Sequence, residues 1–85
     1  MLVVIQHQIS DPRTFWGKAQ QILPGLPRGV KALQILPNKE MTQAVCVWEA
    51  DSIDAVKQII EPSVGHVSRN SYFAVEEANA KGLPS

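Results

Sequence analysis

One cysteine, Cys46, stands in the whole chain, so no disulfide can close within it and a cysteine-rich zinc site is excluded. Neither sign of charge is in excess. Eight Lys and Arg balance eight Asp and Glu, giving a formal net charge of zero with His neutral. Phosphate recognition depends on a basic excess, so nucleic acid and anionic membrane are not expected partners. No run approaches the ~18 apolar residues of a membrane span. The opening Met1 to Ile9 has no basic segment, is interrupted by Gln6, His7 and Gln8, and lacks a small-residue cleavage site, so it does not read as a signal peptide. Repeats, charge runs and low-complexity segments are missing too. These absences lead us to expect a soluble cytoplasmic protein.

What is present suits one small domain: 85 residues, 45% of them hydrophobic. A chain of this size buries only about 60 to 65% of its unfolded surface and holds a few kcal/mol of net stability. Leu2 to Ile9 is short, aliphatic and β-branched, and reads as a strand. Ser10, Asp11 and Pro12 then start a helix in which Phe15, Ala19, Ile22 and Leu23 recur at helical spacing, ending before Pro24. Pro24, Gly25, Pro27 and Gly29 make a stiff loop. Val30 to Leu36 and Thr42 to Ala50 read as two strands at hairpin distance around Pro37, Asn38, Lys39 and Glu40. Asp51 or Ser52 caps a second helix whose buried stripe is Ile53, Val56, Ile59 and Ile60 and which Pro62 is expected to end. Pro62 to Ser68 reads as a turn or a single helical turn carrying His66, and Asn70 to Val75 as a fourth strand. Residues 2–76 form the expected domain; residues 77–85 form a polar tail able to make one helical turn before Gly82 and expected to fray.

The order β-α-β-β-α-β is the split βαβ pattern. With right-handed crossovers it gives an α+β, ferredoxin-like fold: a four-stranded antiparallel sheet in spatial order 4-1-3-2 with both helices on one face. In the first strand Leu2 and Val4 oppose Val3, Ile5 and Ile9, and in the third Val45 and Val47 oppose Ala44, Cys46 and Trp48. Both faces of the central strands are apolar, so the uncovered face is expected to pack on a second copy.

This order of elements, the polar His7 near the end of the first strand, the Asp11-Pro12 helix start with Phe15 and Trp16, and the doubly apolar central strands resemble the dimeric α/β-barrel superfamily of ferredoxin-like proteins over about residues 2 to 76. The superfamily holds cofactor-free monooxygenases related to antibiotic biosynthesis, haem-degrading proteins, muconolactone isomerases, stress-associated proteins and small members of no known role. The resemblance implies a homodimer with a ligand cleft between sheet and helices. Monooxygenase members with this pattern place Asn where this chain has His7.

Among individual residues, His7 is the candidate catalytic group, because an imidazole on an aliphatic strand face needs a buried partner or a ligand. It reads either as a general base in the cleft or as a histidine hydrogen-bonded to structure near a strand end. Trp16, Trp48 and Tyr72 read either as ligand-binding walls or as core and dimer packing, with the Tyr72 hydroxyl able to orient a ligand carbonyl or phenol. His66 reads as a second site histidine or as a solvated loop residue, and Arg69 as a partner for a ligand carboxylate or as a surface cation. No metal-ligand spacing appears and no cofactor is expected. The prolines between Gly25 and Gly29 lack the N–H groups a phosphate cradle needs. Two functions follow: an enzyme acting on a small apolar or aromatic molecule, as monooxygenase or isomerase, or a homodimeric module that binds such a ligand or a protein without turnover.

The doubly apolar central strands predict that sedimentation at micromolar concentration finds a dimer; a well-folded monomer there contradicts the second-copy argument.

Overall fold

Strand β1 (Leu2–Ile9) runs through the middle of the sheet in a computed structural model that describes residues 1–83. It is followed by α1 (Pro12–Ile22), a 3₁₀ turn Leu23–Gly25, β2 (Lys31–Pro37), β3 (Gln43–Glu49), α2 (Ile53–Val64), β4 (Ser68–Ala74) and a second 3₁₀ turn Glu77–Asn79. The sheet order is β2-β3-β1-β4, and β1 pairs antiparallel with β3 and β4. This is the ferredoxin-like βαββαβ arrangement. The expected tail includes residues 84 and 85, which lie outside the described residues.

Each element has a local cause. Asp11 caps α1 by accepting from the Thr14 N–H, and Pro12 opens the helix where no N–H is needed. Ser52 caps α2 by accepting from the Ala55 N–H at 3.1 Å, with Asp54 in the first turn favoured by the helix dipole. At the β2–β3 hairpin the Asn38 carboxamide oxygen accepts from the N–H groups of Thr42 and Gln43 at 2.9 and 3.0 Å, while Met41 takes a left-handed φ of 64°.

Strict alternation sets the core. Val3, Ile5 and Ile9 from β1 and Ala44, Cys46 and Trp48 from β3 join Phe15 of α1 and Val56, Ile60 and Val64 of α2 in one buried cluster. Both helices therefore cover the same sheet face. On the other parity Leu2 is also buried, outside that cluster, whereas Val45, Leu36 and Phe73 are exposed. Gln6, Gln8, Gln43 and Arg69 make the rest of that face polar.

Two boundaries differ clearly from expectation: β4 starts at Ser68 rather than Asn70, and the end of α2 lies beyond Pro62. Helix α2 does not stop at Pro62 but continues through it to Val64. Pro62 sits in the last turn on the solvent side, where it removes a single backbone hydrogen bond, and the extra turn brings Val64, 2% exposed, into the core. Burial of the valine outweighs the missing bond. No helix is long and apolar enough to cross a membrane among the described residues.

Ile5 is fully buried where the sheet meets both helices. Ile5→Ala is expected to lower stability by about 2–5 kcal/mol in urea unfolding; a loss below about 1 kcal/mol would place the core elsewhere.

Candidate functional site

His7 lies on the helix-covered side of β1 because it shares parity with Val3, Ile5 and Ile9, and it is 3% exposed. The register puts it beside Ala44 of β3 and Asn70 of β4. The small Ala44 leaves space for the ring, and Phe15 of α1 packs against it edge-on at 5.1 Å between centroids. Its Nδ1 is 2.6 Å from Asn70 Oδ1.

The neighbouring groups settle which nitrogen carries the proton. Asn70 Nδ2 donates to Glu61 Oε2 at 2.9 Å, and a carboxylate can only accept, so the amide must turn its oxygen to His7. That oxygen in turn requires Nδ1–H on the imidazole, which leaves the lone pair on Nε2. No residue donates a hydrogen bond to Nε2 among the described residues. Burial lowers the His7 pKa below its ordinary value, opposed in part by the Asn70 hydrogen bond and the Glu61 charge. His7 is therefore a neutral base at pH 7.

Glu61 anchors this arrangement from the last turns of α2. Its Oε2 also accepts from the Tyr72 hydroxyl, and Lys57 Nζ stands 5.3 Å from the centre of the Tyr72 ring. Burial, together with the hydrogen bond to Glu61 and its charge, raises the Tyr72 pKa far above the usual phenol range, so its hydroxyl is a donor that stays protonated. Ser68 Oγ lies 2.9 Å from both the Val64 carbonyl and Asn70 Oδ1. Gly65 makes room for Glu61: a Cβ there would stand 2.6 Å from the Glu61 carbonyl oxygen and 2.9 Å from its Oε1.

His7 also lines an apolar cavity of about 30 Å³ between the sheet and the helices, with Phe15, Trp16, Cys46, Trp48 and Ile60. At that volume the space admits a water-sized group, and a ring enters only if the half-buried side chains of its lining, Trp16 and Leu23 among them, move. Trp48 also lines it, and its Nε1 is a buried donor with no hydrogen-bond partner among the described residues, a costly condition that an acceptor would relieve. Trp16 differs, because its Nε1 donates to the Met41 carbonyl at 3.0 Å and only its ring remains for a ligand. Burial pushes the Cys46 thiol up to about 11, which makes it an inert wall. No three of His, Cys, Asp and Glu stand close enough to hold a metal ion among the described residues.

The structure divides the six residues singled out from the sequence. His7, Trp16 and Trp48 share the cavity, and Tyr72 joins His7 through Glu61 and Asn70. His66 and Arg69 instead line a separate open groove of about 590 Å³ with Gln8, Ser10, Thr42 and Gln43, at the C-terminal end of β1. The sequence reading missed Asn70 and Glu61. Asn70 was legible as the residue sharing the face of Tyr72 in β4; Glu61 was hidden by the assumption that α2 stops at Pro62.

No family model, curated protein or solved structure is significantly similar to the chain.

Two consequences of the His7 environment are measurable. Histidine ring ¹⁵N spectra should show the Nδ1–H tautomer for His7 and lose it in Asn70→Leu. Because folding lowers the imidazole pKa from 6.5, the unfolded chain takes up the proton first as pH falls. The stability contributed by neutral burial is complete above that value and is lost as pH drops toward the folded-state value. Urea midpoints should therefore decline below pH 6.5 in the native chain and decline less in His7→Gln. Parallel declines would remove His7 as the titrating group.

Proposed function

We propose that this chain is a cytoplasmic homodimer of the dimeric α/β-barrel type that binds a small uncharged planar molecule, apolar or aromatic, between its sheet and helices and acts on it with His7 as general base. The observation that carries this reading is that one cavity is lined both by His7, a buried neutral imidazole whose Nε2 accepts no hydrogen bond, and by Trp48, whose buried indole N–H has no partner among the described residues. A ligand with an acidic C–H or O–H beside a carbonyl or phenol oxygen answers both. His7 Nε2 takes the proton, and Trp48 Nε1–H donates to the oxygen on which negative charge develops.

The route of the proton favours isomerisation over oxygenation. Nδ1–H is held by the Asn70 amide, which has no titratable position through which His7 could discharge to Glu61. The proton taken by Nε2 is then returned to another atom of the same ligand, so atoms balance with no oxidant. In a monooxygenase the carbanion would instead react with dioxygen.

The fold order and the half-apolar outer face support the assembly. Val45 is 38% exposed, Phe73 49% and Leu36 56%, all on the face opposite the helices, where a second copy would cover them. Anionic ligands are disfavoured, because no Lys or Arg lines the inner cavity and an unpaired buried charge costs several kcal/mol. Binding without turnover is the second reading, favoured by the small volume of the cavity.

A thermal-shift screen of phenols, quinones and lactones against nucleotides and sugar phosphates tests the ligand class, with His7→Gln and Trp48→Phe applied to each hit. Planar uncharged compounds should raise the melting temperature, and each substitution should weaken binding by about tenfold, the effect of one lost hydrogen bond in a dry site. Deuterium exchange into a bound enolisable lactone, abolished in His7→Gln, separates proton transfer from binding alone. Stabilisation by nucleotides only, indifferent to both substitutions, would overturn the reading.

A further inference from the structure

The two edges of the sheet are not equally protected. Strand β2 has Lys31 at its start, a register shift between Ala32 and Gln34, and Pro37 at its end. A charge, a bulge and a proline are the devices by which an edge strand avoids pairing with a further strand. Strand β4, at the other edge, has neither bulge nor proline, and its register with β1 runs without a shift.

Hydrogen bonding to β1 uses only every second residue of β4. The Val75 N–H donates to the Leu2 carbonyl, and the Ser10 N–H to the Val67 carbonyl. Bonded pairs alternate along an antiparallel ladder, so with Phe73 opposite Val4, Ser71 opposite Gln6 and Arg69 opposite Gln8, the odd-numbered residues bond to β1. The N–H and C=O groups of Ser68, Asn70, Tyr72 and Ala74 therefore point out of the sheet in its plane, where they have no backbone partner among the described residues. Ser71 stands at the middle of this row.

We propose that β4 pairs antiparallel with β4 of a second copy about a two-fold axis at Ser71, joining two sheets edge to edge. In that register all four outward residues exchange bonds, Asn70 with Tyr72 and Ser68 with Ala74 of the second copy, and the reverse. Moving the axis to Asn70 leaves Ala74 unpaired, and moving it to Tyr72 leaves Ser68 unpaired. The side chains complement one another in the same register. Arg69 comes opposite Phe73 of the second copy, both exposed on the open face, and a guanidinium stacks favourably on an aromatic ring. On the helix face Lys57 stands over Tyr72 while Glu61 holds Asn70, so pairing Tyr72 with Asn70 of the second copy directs each ammonium toward the other copy's carboxylate. An unrelated extended peptide would meet the same backbone groups without these two complementary pairings. The contact leaves the open face and the His7 cavity as they are, and so stands apart from the function proposed above.

Two seven-residue strands bury less than a standard interface of about 1,600 Å², so the association is weak and cross-linking reads it best. Residues in a non-bonded antiparallel pair have Cα atoms about 4.5 Å apart, inside the disulfide range of roughly 4.4–6.8 Å. Under mild oxidation at high micromolar concentration, Ser71→Cys should form a disulfide-linked dimer. Arg69→Cys and Phe73→Cys should each stay unlinked alone and link to one another when mixed. The buried Cys46 takes no part. The Ser71→Cys yield should change by less than about twofold when Val45→Asp spoils the open face, because that face lies outside the contact. Amide exchange in the unsubstituted chain should slow at Asn70 and Tyr72 as concentration rises, and stay constant at Ser71 and Phe73. Equal linking of all three cysteine variants alone, or linking of none, would overturn the proposal. Loss of the Ser71→Cys link with Val45→Asp would overturn it by assigning the contact to the open face. Exchange at Asn70 and Tyr72 that ignores concentration would overturn it as well.

Discussion

Strand β1 is hydrogen-bonded along both edges, to β3 and to β4, and its side chains alternate between a helix-covered face and an open one. Everything else is arranged around that register. A slip of one residue would carry Val3, Ile5 and His7 to the open face and bring Gln6 and Gln8 into the core, so the apolar parity of β1 fixes the pairing on both sides. Once Val3 faces Ala74 and Ile5 faces Tyr72, Asn70 must face His7.

That geometric necessity becomes chemistry because each polar group in the line has one acceptable orientation. Glu61 accepts from Asn70 and from Tyr72, Asn70 turns its oxygen to His7, and His7 presents a lone pair on Nε2. An exposed carboxylate at the end of α2 thus sets the tautomer of a buried imidazole two residues away in the network. Gly65 is part of the same device, since any side chain there would collide with the Glu61 backbone. Among the described residues the buried side-chain donor left without a partner is Trp48 Nε1, and Trp48 lines the same cavity as His7.

The sheet and the helices make two kinds of unfinished surface. On the open face the apolar residues Val45, Leu36 and Phe73 remain exposed, next to a polar half made by Gln6, Gln8, Gln43 and Arg69. At the β2 edge the loop after α1 leaves an aliphatic groove separated from the cavity by Leu23 and Ile35. The first is a broad face and the second a short stretch of edge, and neither is lined by Trp48.

Periodicity and capping determined the element order, the β1 limits Leu2–Ile9 and both helix starts, and the handedness of crossovers the sheet order, because these follow from neighbouring residues in the chain, whereas which sheet face carries His7 was decided only by the packing of both helices on one side. The same local logic failed at Pro62, where proline forbids one backbone bond but the burial of Val64, known only from packing, keeps the helix going. It failed at the site for a related reason. His66 and His7 were natural partners as two imidazoles in a short chain, yet they occupy different clefts, while the groups that hold His7 are an amide four positions and a carboxylate five positions from His66. Which side chains converge depends on strand register and on the turn that α2 adds beyond its proline. Both are settled by the packing of distant segments against each other, so only the tertiary structure could join Glu61, Asn70 and His7 and separate them from Arg69.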